Sequence, residues 1–314
     1  MISYAQNAED VVLARLFRQQ ATGRYVDVGA GDPVEDSVTK HFYDRGWSGI
    51  NVEPVPQFAE RLRKKRPRDV TLPIALGATE GKATLHVVPE AWGRTTIDDQ
   101  LARRYRDDQR WQVDEVEVEV ATLASMLDEY PGDVDFLKID VEGAERDVLA
   151  GADWVRHRPR VVVVEATTPG SPDPAYEQWE PILFEAGYRC ALFDGLNRFY
   201  AQADDDEALT CLAVPANVFD EFERHDVARM QAEIKDLPAT RASETGYIRR
   251  LERRLREEQQ AREQNAAYIA TLEQAVAVER RRAEKATRYA SALEARISEL
   301  EAARKHAAST SKRT

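Results

Sequence analysis

The sequence predicts a doubly wound α/β fold, about seven strands in a parallel sheet, followed by a long C-terminal α-helix or coiled coil. Three observations support this. Between Tyr25 and Val214 short apolar β-type runs alternate with helix-type segments, the pattern of βαβ units. YVDVGAGDP, from Tyr25 to Pro33, runs a strand into a Gly-Ala-Gly turn, and INVEP, from Ile50 to Pro54, ends the next strand in the carboxylate of Glu53. Beyond Gly246 the chain has neither Gly nor Pro and is rich in Ala, Glu, Arg and Gln, a helix-forming composition.

In chain order, the start MISYAQNAEDVVLARLF reads as an amphipathic helix with its acidic residues early. Strands are expected at 25–28, 49–52, 70–75, 134–139, 160–165 and 188–192, with the last at 197–200 or 211–214. Helices are expected at 36–45, 56–66, 122–129, 142–149 and 175–186. Two more runs, 82–88 and 116–121, alternate polar and apolar residues as edge strands do. They bracket an irregular stretch with Trp92, Arg94, Thr95, Thr96 and Trp111, the natural place for a substrate lid.

The 314 residues carry a net charge of −12, unevenly distributed. From Arg241 onward 17 basic and 11 acidic residues give +6, which leaves −18 on the first 240. No long apolar run or signal peptide is visible, so a soluble, cytoplasmic chain without a transmembrane segment is expected. Cys190 and Cys211 lie in apolar strand-like runs, and the five histidines are scattered. Neither has ligand spacing, so buried thiols and no metal site are expected.

Alternating steps of three and four from Ile248 reach Leu251, Leu255, Ile269, Leu272, Val276, Leu293, Ile297 and Leu300 without a slip. Ile or Val at a and Leu at d favour two parallel strands, and Asn265 at d could help fix register. A homodimer or a hetero-coiled-coil partner is the expectation. The polar centre, Glu258 to Asn265, leaves a solvated single helix as the alternative. Arg280, Arg281 and Arg282 read as a solvated face, with no specific nucleic-acid partner. The expected domains are 1–218 for the α/β body, 219–243 for a linker, 244–306 for the coiled coil and 307–314 for a disordered tail.

The turn and Glu53 are laid out as a nucleotide-type cofactor site at the carboxyl ends of parallel strands. Gly29 and Gly31 leave room for a ligand, and Glu53 can accept both ribose hydroxyls. A dinucleotide fingerprint needs a third glycine, but position 34 is Val. Asp27, Asp32, Glu35 and Asp36 surround the turn with negative charge, which repels phosphate and suits S-adenosylmethionine. A nicotinamide-dependent oxidoreductase is thereby disfavoured. DFLKIDVEGAE, from Asp135 to Glu145, brings Lys138, Asp140 and Glu142 at alternating positions to another strand tip. Asp140 or Glu142 could take a proton from an acceptor hydroxyl or orient a cofactor amino group. They could instead serve as helix N-cap and first-turn dipole partner. Glu165, after VVVV, ends the fifth strand in a similar position, and burying it without a partner would be costly.

SYAQNAEDVVL, YVDVGAGDPVEDSVTKHFYDRGWSGINVEPVP, TLPIALGATEGKATLHVV, FLKIDVEGAERDVLAG, VVVEATTP and WEPILFEAGYRCALFDGLNRFYA together resemble the FkbM-type S-adenosylmethionine-dependent methyltransferases over about residues 2–202. The resemblance implies a Rossmann-like class I methyltransferase sheet over residues 1–218. It implies O-methylation of a sugar, glycan or related small-molecule hydroxyl, as in bacterial surface polysaccharide or secondary-metabolite assembly. Asp27, Gly29 and Gly31 would line the methionine part of S-adenosyl-L-methionine, Glu53 would hold the ribose and Ala75 or its neighbours would border the adenine. Asp140, Glu142 and His86 are the candidate bases, with Asp140 also a cofactor candidate. Many relatives carry a Ser-Thr pair after a Gly in the lid, whereas this chain has Gly93-Arg94-Thr95-Thr96, so a different acceptor pocket is expected. A non-catalytic interaction protein, working through its coiled coil on a methyltransferase-type body, is the alternative from another class.

Overall fold

The computed structural model describes residues 1–89, 91–107 and 109–236, together with 249, 251–256 and 259–260. The chain divides into two units, Met1–Leu237 and Pro238–Thr314. Residues 251–256 are helical; the rest of the expected coiled coil, 244–306, falls almost wholly outside the described residues, and the tail 307–314 entirely so.

The strands are β1 (Ile2–Ser3), β2 (Arg24–Val28), β3 (Ser48–Val52), β4 (Val70–Leu72), β5 (Ala75–Leu76), β6 (Gly81–Val87), β7 (Asp114–Ala121), β8 (Phe136–Ile139), β9 (Val161–Glu165), β10 (Tyr188–Phe193), β11 (Asn197–Gln202) and β12 (Glu223–Arg224). The α-helices are α1 (Glu9–Leu16), α2 (Lys40–Asp44), α3 (Pro56–Lys65), α4 (Asp99–Asp107), α5 (Leu123–Glu129), α6 (Glu145–Ala150), α7 (Glu180–Glu185), α8 (Asp206–Cys211) and α9 (His225–Asp236).

Seven strands form the main sheet in the order β10-β11-β9-β8-β2-β3-β4. The five from β9 to β4 are parallel, whereas β11 runs antiparallel to both β9 and β10, so the sheet is mixed and closes with a hairpin. Of the alternatives for the last strand, 197–200 is the one observed, and Cys211 instead ends α8. Chain order reverses between β2 and β8, which opens a crevice at their carboxyl ends.

Period-two alternation along each strand sorts its side chains between two cores. Val26, Val28, Leu137, Ile139, Val162 and Val164 pack with Leu123 and Met126 of α5, Val148 and Leu149 of α6 and Leu183 of α7. Tyr25, Phe136, Val161 and Val163 pack on the other face with Leu13, Phe17, Phe42 and Trp47. Each such side chain stabilises by about 1.5–3 kcal/mol on full burial. A one-residue slip would exchange the two faces, so register is firmly specified.

Four expectations are corrected. The run 70–75 is broken at Pro73, which cannot donate to a ladder. β4 stays in the main sheet, and β5 joins β7 and β6 in a separate three-stranded sheet. The lid stretch contains α4, which buries Leu101, Ala102 and Tyr105. Residues 219–236 belong to the first unit instead of a linker, because β12 pairs with β1 and Arg15 bonds Asp220 through two nitrogens. The amphipathic start is likewise split: Asp10 of α1 is buried and accepts from the Ser3 hydroxyl and the Tyr4 N–H. Among the described residues no helix is long and apolar enough to cross a membrane.

Candidate functional site

A cavity of about 690 Å³ opens at the carboxyl ends of β2, β3 and β8. The turn after β2 forms its floor: Gly29 and Ala30 donate N–H bonds to the Val52 carbonyl, which ties the turn to β3. Gly29 has φ +77° and Gly31 φ +59°, the left-handed region that favours glycine. The two glycines differ in what surrounds them. A Cβ on Gly29 would lie 1.8 Å from the Asp140 carbonyl oxygen, whereas one on Gly31 would meet nothing within 4 Å. Gly31 is therefore the one that leaves open space for a ligand.

Glu53 lines the cavity at the tip of β3. Its Oε2 accepts the Gly31 N–H at 2.7 Å and its Oε1 the Val55 N–H at 2.8 Å. Burial raises its carboxyl to about 7, even though both N–H bonds favour the ionised form. Each oxygen keeps a second acceptor position for a ligand hydroxyl. Ala75, with Ile74 and Leu76, forms an apolar part of the wall.

Asp27 is not on the cavity surface, which corrects its expected contact with a cofactor. It is 1% exposed and sits behind the turn, where its Oδ2 accepts from the Thr39 hydroxyl at 2.8 Å. Its Oδ1 lies 3.3 Å from Lys138 Nζ, directly across the β2–β8 ladder. Lys138 also donates to the Gly29 carbonyl at 2.9 Å and lies 3.3 Å from Asp140 Oδ2. Burial alone would lower its pKa, but Asp140 and Asp27 together raise it, so the ammonium is retained. The alternation of Lys138, Asp140 and Glu142 was visible in sequence, yet the clamp on Asp27 forms only once β2 and β8 are paired.

Asp140 and Glu142 both line the cavity, joined by Glu165 from the end of β9. One oxygen from each falls within 4.8 Å of the others, close enough to share protons or to hold a cation. The sequence sets Asp140, Glu142 and Glu165 at two strand tips, and the pairing of β8 with β9 brings the three together. Glu142 sits at φ +52°, and its carbonyl accepts from the Thr96 hydroxyl. Burial, then Asp140, raises its carboxyl to about 8, and burial with the neighbouring acids pushes Glu165 up as well. Glu142 Oε2 and Glu165 Oε2 are buried without hydrogen-bond partners. Neither Asp140 nor Glu142 caps the following helix, which begins at Glu145; the Glu145 carboxylate instead accepts the Val141 and Gly143 N–H groups.

His86 is corrected too. Alternation along β6 turns Leu85 toward the cavity and His86 away from it, where the ring Nε2 bonds Asp99 Oδ1 at 2.7 Å. From the insertion Arg94, Thr95 and Thr96 reach the cavity, together with Ala91, Gly93 and Ile97.

The family model described as the methyltransferase FkbM domain matches residues 27–190. Among solved structures the chain is similar to a TehB-like SAM-dependent methyltransferase from Corynebacterium glutamicum, at 10% identity and TM-score 0.33 over 61% of this chain and 87% of that one. A precorrin-6y C5,15-methyltransferase from Geobacter metallireducens is 18% identical, with TM-score 0.33 over 59% of this chain and 72% of that one. The CurJ carbon methyltransferase is 14% identical, with TM-score 0.33 over 64% of this chain and 56% of that one. No curated protein matches the chain.

Proposed function

The chain belongs to the FkbM methyltransferase family, and on that premise we propose that it is an S-adenosylmethionine-dependent O-methyltransferase. Its acceptor is a hydroxyl of a sugar, glycan or related small molecule, in surface polysaccharide or secondary-metabolite assembly. One observation carries the reading: a single cavity joins the Gly31–Glu53 contact to the carboxylates of Asp140, Glu142 and Glu165.

The residues present fit the cofactor. Open space beside Gly31, the free acceptor positions of Glu53 and the apolar wall at Ala75 suit a nucleoside. The acidic lining suits a sulfonium and an amino group. A pyrophosphate does not fit, because no helix starts at the turn; α2 begins only at Lys40. S-adenosylmethionine, when bound, supplies an electrophilic methyl group. The chain's part is alignment and exclusion of water, since in-line displacement depends on geometry. Glu53 would hold ribose hydroxyls, and Gly29 and Gly31 would border the methionine part. Asp140 or Glu142 would accept the acceptor's hydroxyl proton at a carboxylate oxygen.

Calorimetry of the full chain with S-adenosylmethionine tests the cofactor, and absence of binding sinks the reading in favour of the interaction protein. Mass spectrometry of cell glycans with and without the gene tests the acceptor, a lost methyl group on a sugar being the expected result. The heptads of 244–306 are the proposed site of a homodimer or of a hetero-coiled-coil partner.

A further inference from the structure

Two cations line the cavity, Lys138 and Arg94. Lys138 is fully engaged by Asp27, Asp140 and the Gly29 carbonyl. Arg94 is not: among the described residues it forms no ion pair. Its backbone is fixed by the 3-10 turn Trp92–Arg94, where its N–H bonds the Ala91 carbonyl. Its side chain reaches across to the loop after β9, where a Cβ on Gly170 would lie 2.2 Å from Arg94 Nη1.

Polar groups lie beside it. Thr95 lines the cavity, and its Oγ1 is buried with no hydrogen-bond partner. Burial, then Glu142, raises the buried Tyr105 phenol, with a side-chain hydrogen bond to Arg94 and the Arg94 charge pulling the other way. The opposite wall is acidic, formed by Asp140, Glu142 and Glu165, and Glu142 feels the Arg94 charge without contacting it. The cavity thus presents a cation with unused donors on one side and carboxylates on the other. A guanidinium of this kind matches the planar, two-point geometry of a carboxylate or phosphate.

We propose that Arg94 selects an acceptor that carries an oxyanion, a carboxylate or a phosphate, on the same sugar as the reacting hydroxyl. The anion rests on Arg94 and the Thr95 hydroxyl, which turns the reacting hydroxyl toward Asp140, Glu142 and Glu165. This inference rests on the methyltransferase reading of the cavity.

The test is calorimetry on the full chain saturated with S-adenosylhomocysteine, titrated with glucuronate, glucose 6-phosphate and glucose. At least one anionic sugar is expected to bind about tenfold or more tighter than glucose, and which one does so separates carboxylate from phosphate. Arg94→Met should bring the preference to within about twofold, and Arg94→Lys, which keeps charge but not the fork, should leave an intermediate value. Glucose bound as tightly as both anions, no measurable binding by either anion, or a preference that survives in Arg94→Met overturns the proposal. If Arg94→Met does not bind S-adenosylhomocysteine, Arg94→Lys decides: a reduced preference supports the proposal and an unchanged one overturns it. A wild-type chain that binds no S-adenosylhomocysteine overturns the methyltransferase reading instead, and this inference with it.

Discussion

Gly29 lies so close beneath Asp140 that a Cβ built on it would come within 1.8 Å of the Asp140 carbonyl oxygen. The contact joins the turn after β2 to the tip of β8, and backbone atoms cannot swing aside as a flexible side chain can. Gly29→Ala is therefore expected to lower stability by at least about 3 kcal/mol, from the clash and from a left-handed φ together. Gly31→Ala meets no atom within 4 Å and carries only the left-handed strain, about 1–2 kcal/mol. Urea denaturation of both variants checks this, and equal losses would contradict it.

Glu53 links Gly31 to Val55 and faces the cavity. Glu53→Ala is expected to weaken S-adenosylmethionine binding at least about tenfold, because charge-assisted hydrogen bonds are lost. Calorimetry reads the change, with the melting temperature as a control for folding. Unchanged affinity removes Glu53 from the cofactor site.

Asp140 and His86 were both candidate bases in sequence, but of the two only Asp140 lines the cavity. Asp140→Asn is expected to bind S-adenosylmethionine normally and to lose about 10²–10⁴-fold in methyl transfer. Its failure to restore the methyl group to glycans of a strain lacking the gene is the readout. His86→Asn loses the bond to Asp99 and should cost about 1 kcal/mol of stability with transfer retained. The reverse ranking of the two variants would return His86 to the site.

The heptads from Ile248 to Leu300 are the proposed site of a helical partner. A chain ending near residue 240 is expected to sediment as a monomer where the full chain sediments as a dimer or larger assembly. The same oligomeric state for both ends the association claim.

The parts of the fold legible in sequence are those specified by local pattern. The Gly-Ala-Gly turn, the carboxylate ending β3 and the alternation of β2 and β8 each depend on residues within one strand and its turn. Alternation also carried a signal that was not used: His86, between the buried Leu85 and Val87, had to face away from them, and Asp27 had to oppose Val26 and Val28. Other features needed the third dimension. Glu165 meets Asp140 and Glu142 only because β9 lies beside β8. Lys138 becomes a clamp only when it is set opposite Asp27. α4 was hidden because Arg103, Arg104 and Arg106 mask the few side chains it buries.

Buried carboxyl groups set the pH dependence of the unliganded chain. Burial raises Glu53 to about 7 and Glu142 to about 8, and also raises Glu165. The unfolded chain releases these protons near the ordinary glutamate value of about 4.3. Between that value and the raised ones the folded state holds more protons than the unfolded state, so stability falls as pH rises. The contribution is complete below the unfolded value and is lost as pH climbs through the folded values. Denaturation by urea should therefore need less denaturant at pH 8 than at pH 5. Glu142→Gln, which cannot ionise, should fall less over the same range. A wild-type chain that becomes more stable toward pH 8, or a variant with the wild-type slope, would show that these carboxyls are ionised in the folded state.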